Sequence, residues 1–170
     1  IWIVGLGAGL CYFSIANINF YARCKRTLCQ ITEGNLVSHI NELQEQMLGK
    51  AALPVYECDV VSSPMLVGIV SPKLVLPSDK TNWKEDELKW IVLHEICHYK
   101  VKDLWIKMIM MLVWCLNWFN PFVYMMKQRC YYHIELSCDE MVLRGQEREK
   151  RSEYASVLLS FAAGKQMVSS

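Results

Sequence analysis

The stretch HEICHYKVKDLWIKMIMMLVWCLNWFNPFVYMMKQRCYYHIELSCD, residues 94–139, decides the reading of this chain. It opens on His94-Glu95-Ile96-Cys97-His98, an H-E-x-x-H pattern. On a helix, histidines four residues apart lie one turn above the other on the same face, so both imidazoles can reach one Zn²⁺ at about 2.0–2.1 Å. Glu95 follows the first histidine, where its carboxylate can lie beside a metal-bound water and act as general base. A catalytic zinc wants three protein ligands and one open position. The stretch closes on Glu135-Leu136-Ser137-Cys138-Asp139, whose two acids share a helical face. Glu135 is the candidate third ligand, and Asp139 the candidate acceptor for the N–H of a ligand histidine.

What lies between the two motifs explains how they meet. Residues 104–126 carry a single charge, Lys107, and are interrupted by Asn117, Asn120 and Pro121. Proline at the first helical position after an asparagine cap predicts a new helix, hence a hairpin. Arms over 104–118 and 121–135 are each about 22 Å of helix, which returns Glu135 to the level of the start. Neither arm covers a hydrocarbon core of ~30 Å, so the tip is expected to dip into a bilayer or lie on its surface.

Working outward, residues 1–20 (IWIVGLGAGLCYFSIANINF) carry no charge and are long enough to span a membrane. Domain boundaries are set at 1–22 for a transmembrane helix and 23–170 for the remainder, hairpin 104–126 included. Without an initiator Met or a basic leader, this span reads as an internal one, the last part of a longer membrane region. Gly5, Gly7 and Gly9 suggest close packing on another helix, and Arg23, Lys25 and Arg26 place the following segment on the cytoplasmic side. Residues 36–48 have helical apolar spacing, ended by Gly49 and Pro54. VYECDVV, LVGIV and KLVLP then predict a small sheet. LVGIV (Leu66, Val67, Gly68, Ile69, Val70) is the expected edge strand for holding an extended substrate backbone. Asn82 and Glu85 suit a capping box before the zinc-motif helix, and a charged turn, QEREKRSE, leads to a short last helix over 154–161. The fold class is therefore α+β and mainly helical.

Composition narrows the function. Of 170 residues 53% are hydrophobic, while 18 Lys plus Arg balance 17 Asp plus Glu to a charge of +1. That gives no basic field for direct nucleic-acid binding, and lipid is the expected surface partner. The eight cysteines form no Cys-x-x-Cys pair and read as reduced thiols packed like small hydrophobes. His133 lies two residues before Glu135 and points elsewhere on a helix, so it is read as non-ligating.

HEICH, the following Asp103, WFNP, ELSCD and the preceding SSPMLVGIVSPKLVLP together resemble the gluzincin metallopeptidases of the beta-lactam sensor and antirepressor type, the Bla and Mec regulators of bacteria, over roughly residues 35–162. The resemblance implies a multi-pass cell-membrane protein with a gluzincin-type peptidase domain facing the cytoplasm. One Zn²⁺ would sit on His94, His98 and Glu135 with Glu95 as base. The protein substrate would be a cytosolic transcriptional repressor or the chain itself. Tyr154 is the favoured oxyanion stabiliser, ahead of Tyr131, Tyr132 and Arg144, because the resemblance extends around it. The 170 residues hold no Ser-x-x-Lys acylation motif and no penicillin-binding sensor, so the activating signal is open. Two further readings are a housekeeping membrane protease for quality control or prenyl-protein processing, and a non-hydrolytic zinc-containing relay. Retention of Glu95 argues against the relay, since a structural site needs no base.

Overall fold

The computed structural model describes residues 2–32, 34–50, 53–78 and 85–168. Its elements run α1 (Trp2–Thr27), β1 (Cys29–Gln30), α2 (Asn35–Leu48), β2 (Val55–Cys58), β3 (Met65–Val67), β4 (Lys73–Pro77), α3 (Glu85–Lys100), α4 (Asp103–Leu116), α5 (Pro121–Leu143) and α6 (Arg148–Val168). The chain is mainly helical with a small mixed sheet, as its pattern predicts. Asn82 and its proposed capping role lie outside the described residues.

Strand order is β1-β2-β4-β3, with β2 and β4 parallel and both outer pairs antiparallel. Side chains alternate across a strand, and the two faces have different partners. Val55, Leu66, Leu74 and Leu76 join Ile40 and Leu43 of α2 and Trp90, Ile91, Val92, Ile96 and Cys97 of α3 in the main core. Cys58, Val61 and Val75 pack instead against Cys24 near the end of α1. The central strand β4 is buried on both faces, which its unbroken run Leu74-Val75-Leu76 reflects.

The edge strand is shorter than LVGIV suggests. It pairs through Met65, Leu66 and Val67 and stops there. Gly68 takes φ 97, and a Cβ at that position would meet the Ser71 carbonyl oxygen at 2.6 Å, so the backbone turns back on itself. Ile69 and Val70 belong to that turn, not to the strand.

Helix α1 continues past residue 22 to Thr27, taking Lys25 and Arg26 into a last turn where cations complement the helix dipole. It is the one described helix long and apolar enough to cross a membrane, and none of its most apolar window is buried. Trp2 Nε1 donates to the Leu116 carbonyl at 3.0 Å, at the hairpin tip. The other end of α1 reaches the sheet, where the Thr27 hydroxyl meets Cys58 Sγ at 3.2 Å. Thus α1 runs antiparallel to α4. Gly5 and Gly9 lie against Trp118 and Cys115, whereas Gly7 has open space, so two of the three glycines serve close packing.

The hairpin forms as Asn120-Pro121 dictates. The Asn120 side chain accepts from the Phe122 amide at 3.0 Å, with Pro121 at the first helical position. Exposed Ile109, Leu112, Leu116, Phe119, Phe122 and Met125 continue the apolar surface of α1. Gly49, at φ 76, caps α2 as expected. Helix α6 begins at Arg148, ahead of the expected 154, and runs to Val168. Its charged start is built from good helix formers with Glu149 in the first turn, so the predicted turn is helical from Arg148 onward. Tyr154 and Val157 seal α6 onto the core, and all eight cysteines are free thiols.

Candidate metal centre

Helix α3 lies in the middle of the core, with Ile96 and Cys97 fully buried. Its opposite face carries the H-E-x-x-H histidines. Burial of one face fixes the rotation of the helix and therefore where the other points. His94 Nε2 and His98 Nε2 lie 3.0 Å apart. Glu135 on α5 brings Oε2 to 3.4 Å from the first and 3.5 Å from the second. A tetrahedral ion with bonds of about 2.0–2.1 Å needs donor atoms about 3.3–3.4 Å apart. The two sides ending on Glu135 match that spacing, the histidine side at 3.0 Å is slightly shorter, and the donors are of the type zinc takes, so the residues fit the metal. Glu135 is half exposed, which leaves one side open to substrate and water.

Both imidazoles are held from behind. His94 Nδ1 lies 3.2 Å from Asp139 Oδ1 and 2.8 Å from the Tyr154 hydroxyl, which itself donates to Asp139 Oδ1 at 2.6 Å. His98 Nδ1 lies 2.9 Å from Asp103 Oδ2 and 3.5 Å from Cys138 Sγ. Asp103 is almost fully buried and also pairs with Lys107 one turn along α4. A histidine that gives its Nδ1–H to a carboxylate keeps its Nε2 lone pair for a metal.

The Asp103 contact depends on the backbone. Lys102 adopts φ 57, ψ 39, the one positive-φ non-glycine among the described residues. A left-handed residue there costs about 1–2 kcal/mol, and it breaks the helix so that α4 starts with Asp103 facing back to His98.

Asp139 thus stands against His94, the first histidine of the motif. Tyr154 also lies behind His94. Its hydroxyl touches the Nδ1 side of His94, away from the three converging donor atoms, and its side chain is buried in the core. The reason is long-range: α6 packs Tyr154 edge-on against Trp90 at 5.7 Å, with Trp90 Nε1 donating to Glu153. Lys107 and Cys138 escaped the sequence reading, and Asp103 entered it only through a resemblance. The signal for Asp103 and Lys107 is a carboxylate with a lysine four residues later at the head of a helix, which is common on any helix. His39 and His133 are exposed and lie elsewhere.

The electrostatics favour a cation between the histidines. Burial lowers the pKa of His94, but hydrogen bonds to Asp139 and Glu135 outweigh it and the net shift is upward. His98 is raised in the same way by Asp103, Cys138 and Glu135. Glu135, hydrogen-bonded to both imidazoles, is held well below the usual carboxylate range. Glu95 is the exception among these acids, since burial pushes its carboxyl up. A carboxylate moved toward neutral pH is a better proton acceptor.

A groove of about 1050 Å³ lies between Tyr12–Lys25 of α1, the Leu66–Ser71 edge, and Leu104, Lys107 and Met108 of α4, and Lys107 on its wall is 4.0 Å from Glu135. The free hydrogen-bonding groups of the edge follow from register. Leu74 donates to Pro54 at 3.1 Å, so its amide and carbonyl face β2. Val75 and Lys73 then face β3 and bond their partners Met65 and Val67, which turns the N–H and C=O of Leu66 outward to the groove.

A family model described as BlaR1 peptidase M56 matches residues 1–170, and the chain belongs to that family. It is 28% identical over 170 residues to the regulatory protein BlaR1 of Bacillus licheniformis, covering 100% of this chain and 28% of the relative. It is 31% identical over 100 residues, 58% of this chain and 17% of the relative, to the methicillin resistance mecR1 protein of Staphylococcus aureus. The mecR1 protein of Staphylococcus epidermidis matches to the same extent. The chain therefore spans less than a third of the length of these relatives. The Bla and Mec resemblance drawn from the motifs is borne out.

Proposed function

We propose that this chain is the zinc endopeptidase portion of a multi-pass membrane regulator, of gluzincin type, which hydrolyses a peptide bond in a protein substrate. The observation that carries the reading is the donor triangle of His94, His98 and Glu135 with a carboxylate behind each imidazole. When bound there, zinc supplies Lewis acidity toward water and a peptide carbonyl. Glu95 takes the proton of the attacking water and returns it to the leaving amine. Asp139 and Asp103 hold His94 and His98 in the tautomer that offers Nε2. An extended substrate segment pairs with the outward backbone of Leu66, its chain continuing past Val67 and over the Gly68, Ile69 and Val70 turn.

Residues 1–22 are assigned to a membrane span and 23–170 to the peptidase domain, with the hairpin 104–126 against lipid. Arg23, Lys25 and Arg26 after the span support a cytoplasmic side for that domain. The substrate is then a cytosolic transcriptional repressor or the regulator's own chain. Membership of the BlaR1 peptidase M56 family supports this choice over general membrane proteolysis.

The test is hydrolysis by the purified chain in detergent micelles, using a peptide library made by digesting bacterial cytosolic proteins and reading new termini by mass spectrometry. Zinc-dependent cleavage that disappears in Glu95→Gln is expected. A zinc-loaded wild-type chain that cleaves no library peptide, and not itself, overturns the reading.

A further inference from the structure

We infer that Lys107 is a catalytic residue of this site, the cationic donor to the oxyanion formed when a peptide carbonyl is attacked. The inference rests on the peptidase reading above and gives Lys107 the role first expected of Tyr154, whose hydroxyl lies on the Nδ1 side of His94.

Three observations place Lys107. The two oxygens of Glu135 face different ways: Oε2 meets both histidines, while Oε1 lies 4.0 Å from Lys107 Nζ. The ammonium therefore sits just beyond the third ligand. It also pairs with Asp103 Oδ2, the oxygen that holds His98. An ammonium has three N–H donors, so this pair leaves two for another acceptor. Finally, Lys107 lines the same groove as Leu66–Ser71, where the proposed reading puts an extended substrate.

The other lysines on that groove have different surroundings. Lys73 stands over the Tyr56 ring at 4.7 Å, Lys127 over Trp114 at 5.2 Å, and Lys25 belongs to the last turn of α1. Lys107 is the groove lysine ion-paired to the carboxylates around the two histidines. Tyr131 is the rival donor, since its ring lies 5.8 Å from Lys107 Nζ and it lines the same groove.

The step balances without proton transfer from Lys107. Water oxygen bonds to the carbonyl carbon as Glu95 accepts its proton, and the C=O pair moves onto oxygen, where Lys107 donates a hydrogen bond. The pair then re-forms C=O, the C–N bond breaks, and the amine leaves with the proton from Glu95. A fixed cation at that oxygen interacts with the transition state more than with the neutral carbonyl, so it lowers the barrier more than it aids binding.

The test uses the full chain, the best-cleaved library peptide, and a phosphinate analogue of it that carries a tetrahedral oxyanion in place of the scissile amide. Lys107→Met should keep one zinc per chain and a near-normal KM, and lose about 10²–10³ in kcat, the usual cost of an oxyanion donor. Its affinity for the phosphinate should fall by a similar factor. The uncleaved peptide should bind the Glu95→Gln chain equally with or without Lys107→Met. Lys107→Arg, which keeps a cation, should recover part of the rate. Should Lys107→Met not fold, Lys107→Gln, which keeps a donor to Asp103, carries the same expectations.

Normal kcat in the folded neutral variant overturns the inference. So does an equal loss of peptide and phosphinate binding, or loss of zinc, either of which assigns Lys107 to positioning alone. A kcat loss found in Tyr131→Phe instead transfers the role to Tyr131. In each case wild-type cleavage still stands, which separates failure of Lys107 from failure of the peptidase reading.

Discussion

His98 and Asp103 meet at 2.9 Å across the break between α3 and α4, so a carboxylate from the next helix holds a histidine of the zinc motif. Asp103 is almost wholly buried, so on the proposed reading its effect on a bound metal would run through that contact. Asp103→Asn keeps the shape but loses the charge. Zinc affinity is expected to fall about 10–100-fold, the usual cost of such a partner, measured by competition with a chelating dye. Wild-type affinity in that variant would show that His98 needs no help from Asp103.

One zinc per chain should copurify, and His94→Ala, His98→Ala and Glu135→Ala should each lose most of it. The sign of its pH dependence follows from the histidines. Without metal, both are raised above their usual 6.5, because carboxylate partners outweigh burial. Their contribution to stability is thus fully present below about 6.5 and fades as pH rises through the folded-state values. Zinc must displace those protons, so the zinc-induced rise in Tm should grow between about pH 6 and pH 8.5. Scanning calorimetry decides it, and a shift that shrinks with pH contradicts this electrostatic account.

Glu95→Gln should bind zinc and melt like the wild type, yet lose about 10²–10⁴ in turnover, as expected for loss of a general base. Zinc content and cleavage of the library peptide are the two readouts. A Gln variant that cleaves at the normal rate is incompatible with the proposed hydrolysis.

Tyr154→Phe separates two roles for one hydroxyl. In this structure the hydroxyl holds Asp139 and His94. Its loss should cost about 0.5–1.5 kcal/mol of stability and reduce kcat less than tenfold. Had the hydroxyl met the oxyanion, kcat would drop about 10²–10³ with stability unchanged. Paired melting and kinetic measurements distinguish the two.

The register of β3 makes a prediction at single-amide resolution. Leu66 N–H faces the groove and should exchange quickly with solvent in the free chain, then become protected when the phosphinate peptide binds. Val67 N–H, bonded to β4, should be slow in both states, and Val67→Pro should break the ladder. Exchange followed by NMR tests this; protection gained at Val67 instead of Leu66 would mean the groove side has been misassigned.

Much of the site was legible because its residues sit at helical spacing. His94 and His98, or Glu135 and Asp139, share faces that a periodicity of 3.6 makes visible. The hairpin joining them was visible in Asn120-Pro121, whose chemistry is local. The two-residue strand β1 was not, because no alternation can be read in Cys29-Gln30. Where Tyr154 comes to lie was not legible, because it depends on how α6 docks on Trp90, a contact 64 residues apart in sequence (154 − 90). Asp103 needed the left-handed turn at Lys102, and nothing in a lysine announces positive φ.

The sheet's two outer strands are only two and three residues long, and the one beside the groove is cut off by the turn at Gly68. A long flat border would let one copy of the chain recruit another and grow into an aggregate. This border is too short for that, yet it offers one residue's worth of outward backbone. On the proposed reading, such a border would grip a passing unstructured polypeptide briefly without seeding fibrils of the chain's own kind, and a well-folded protein would have no loose stretch to offer it.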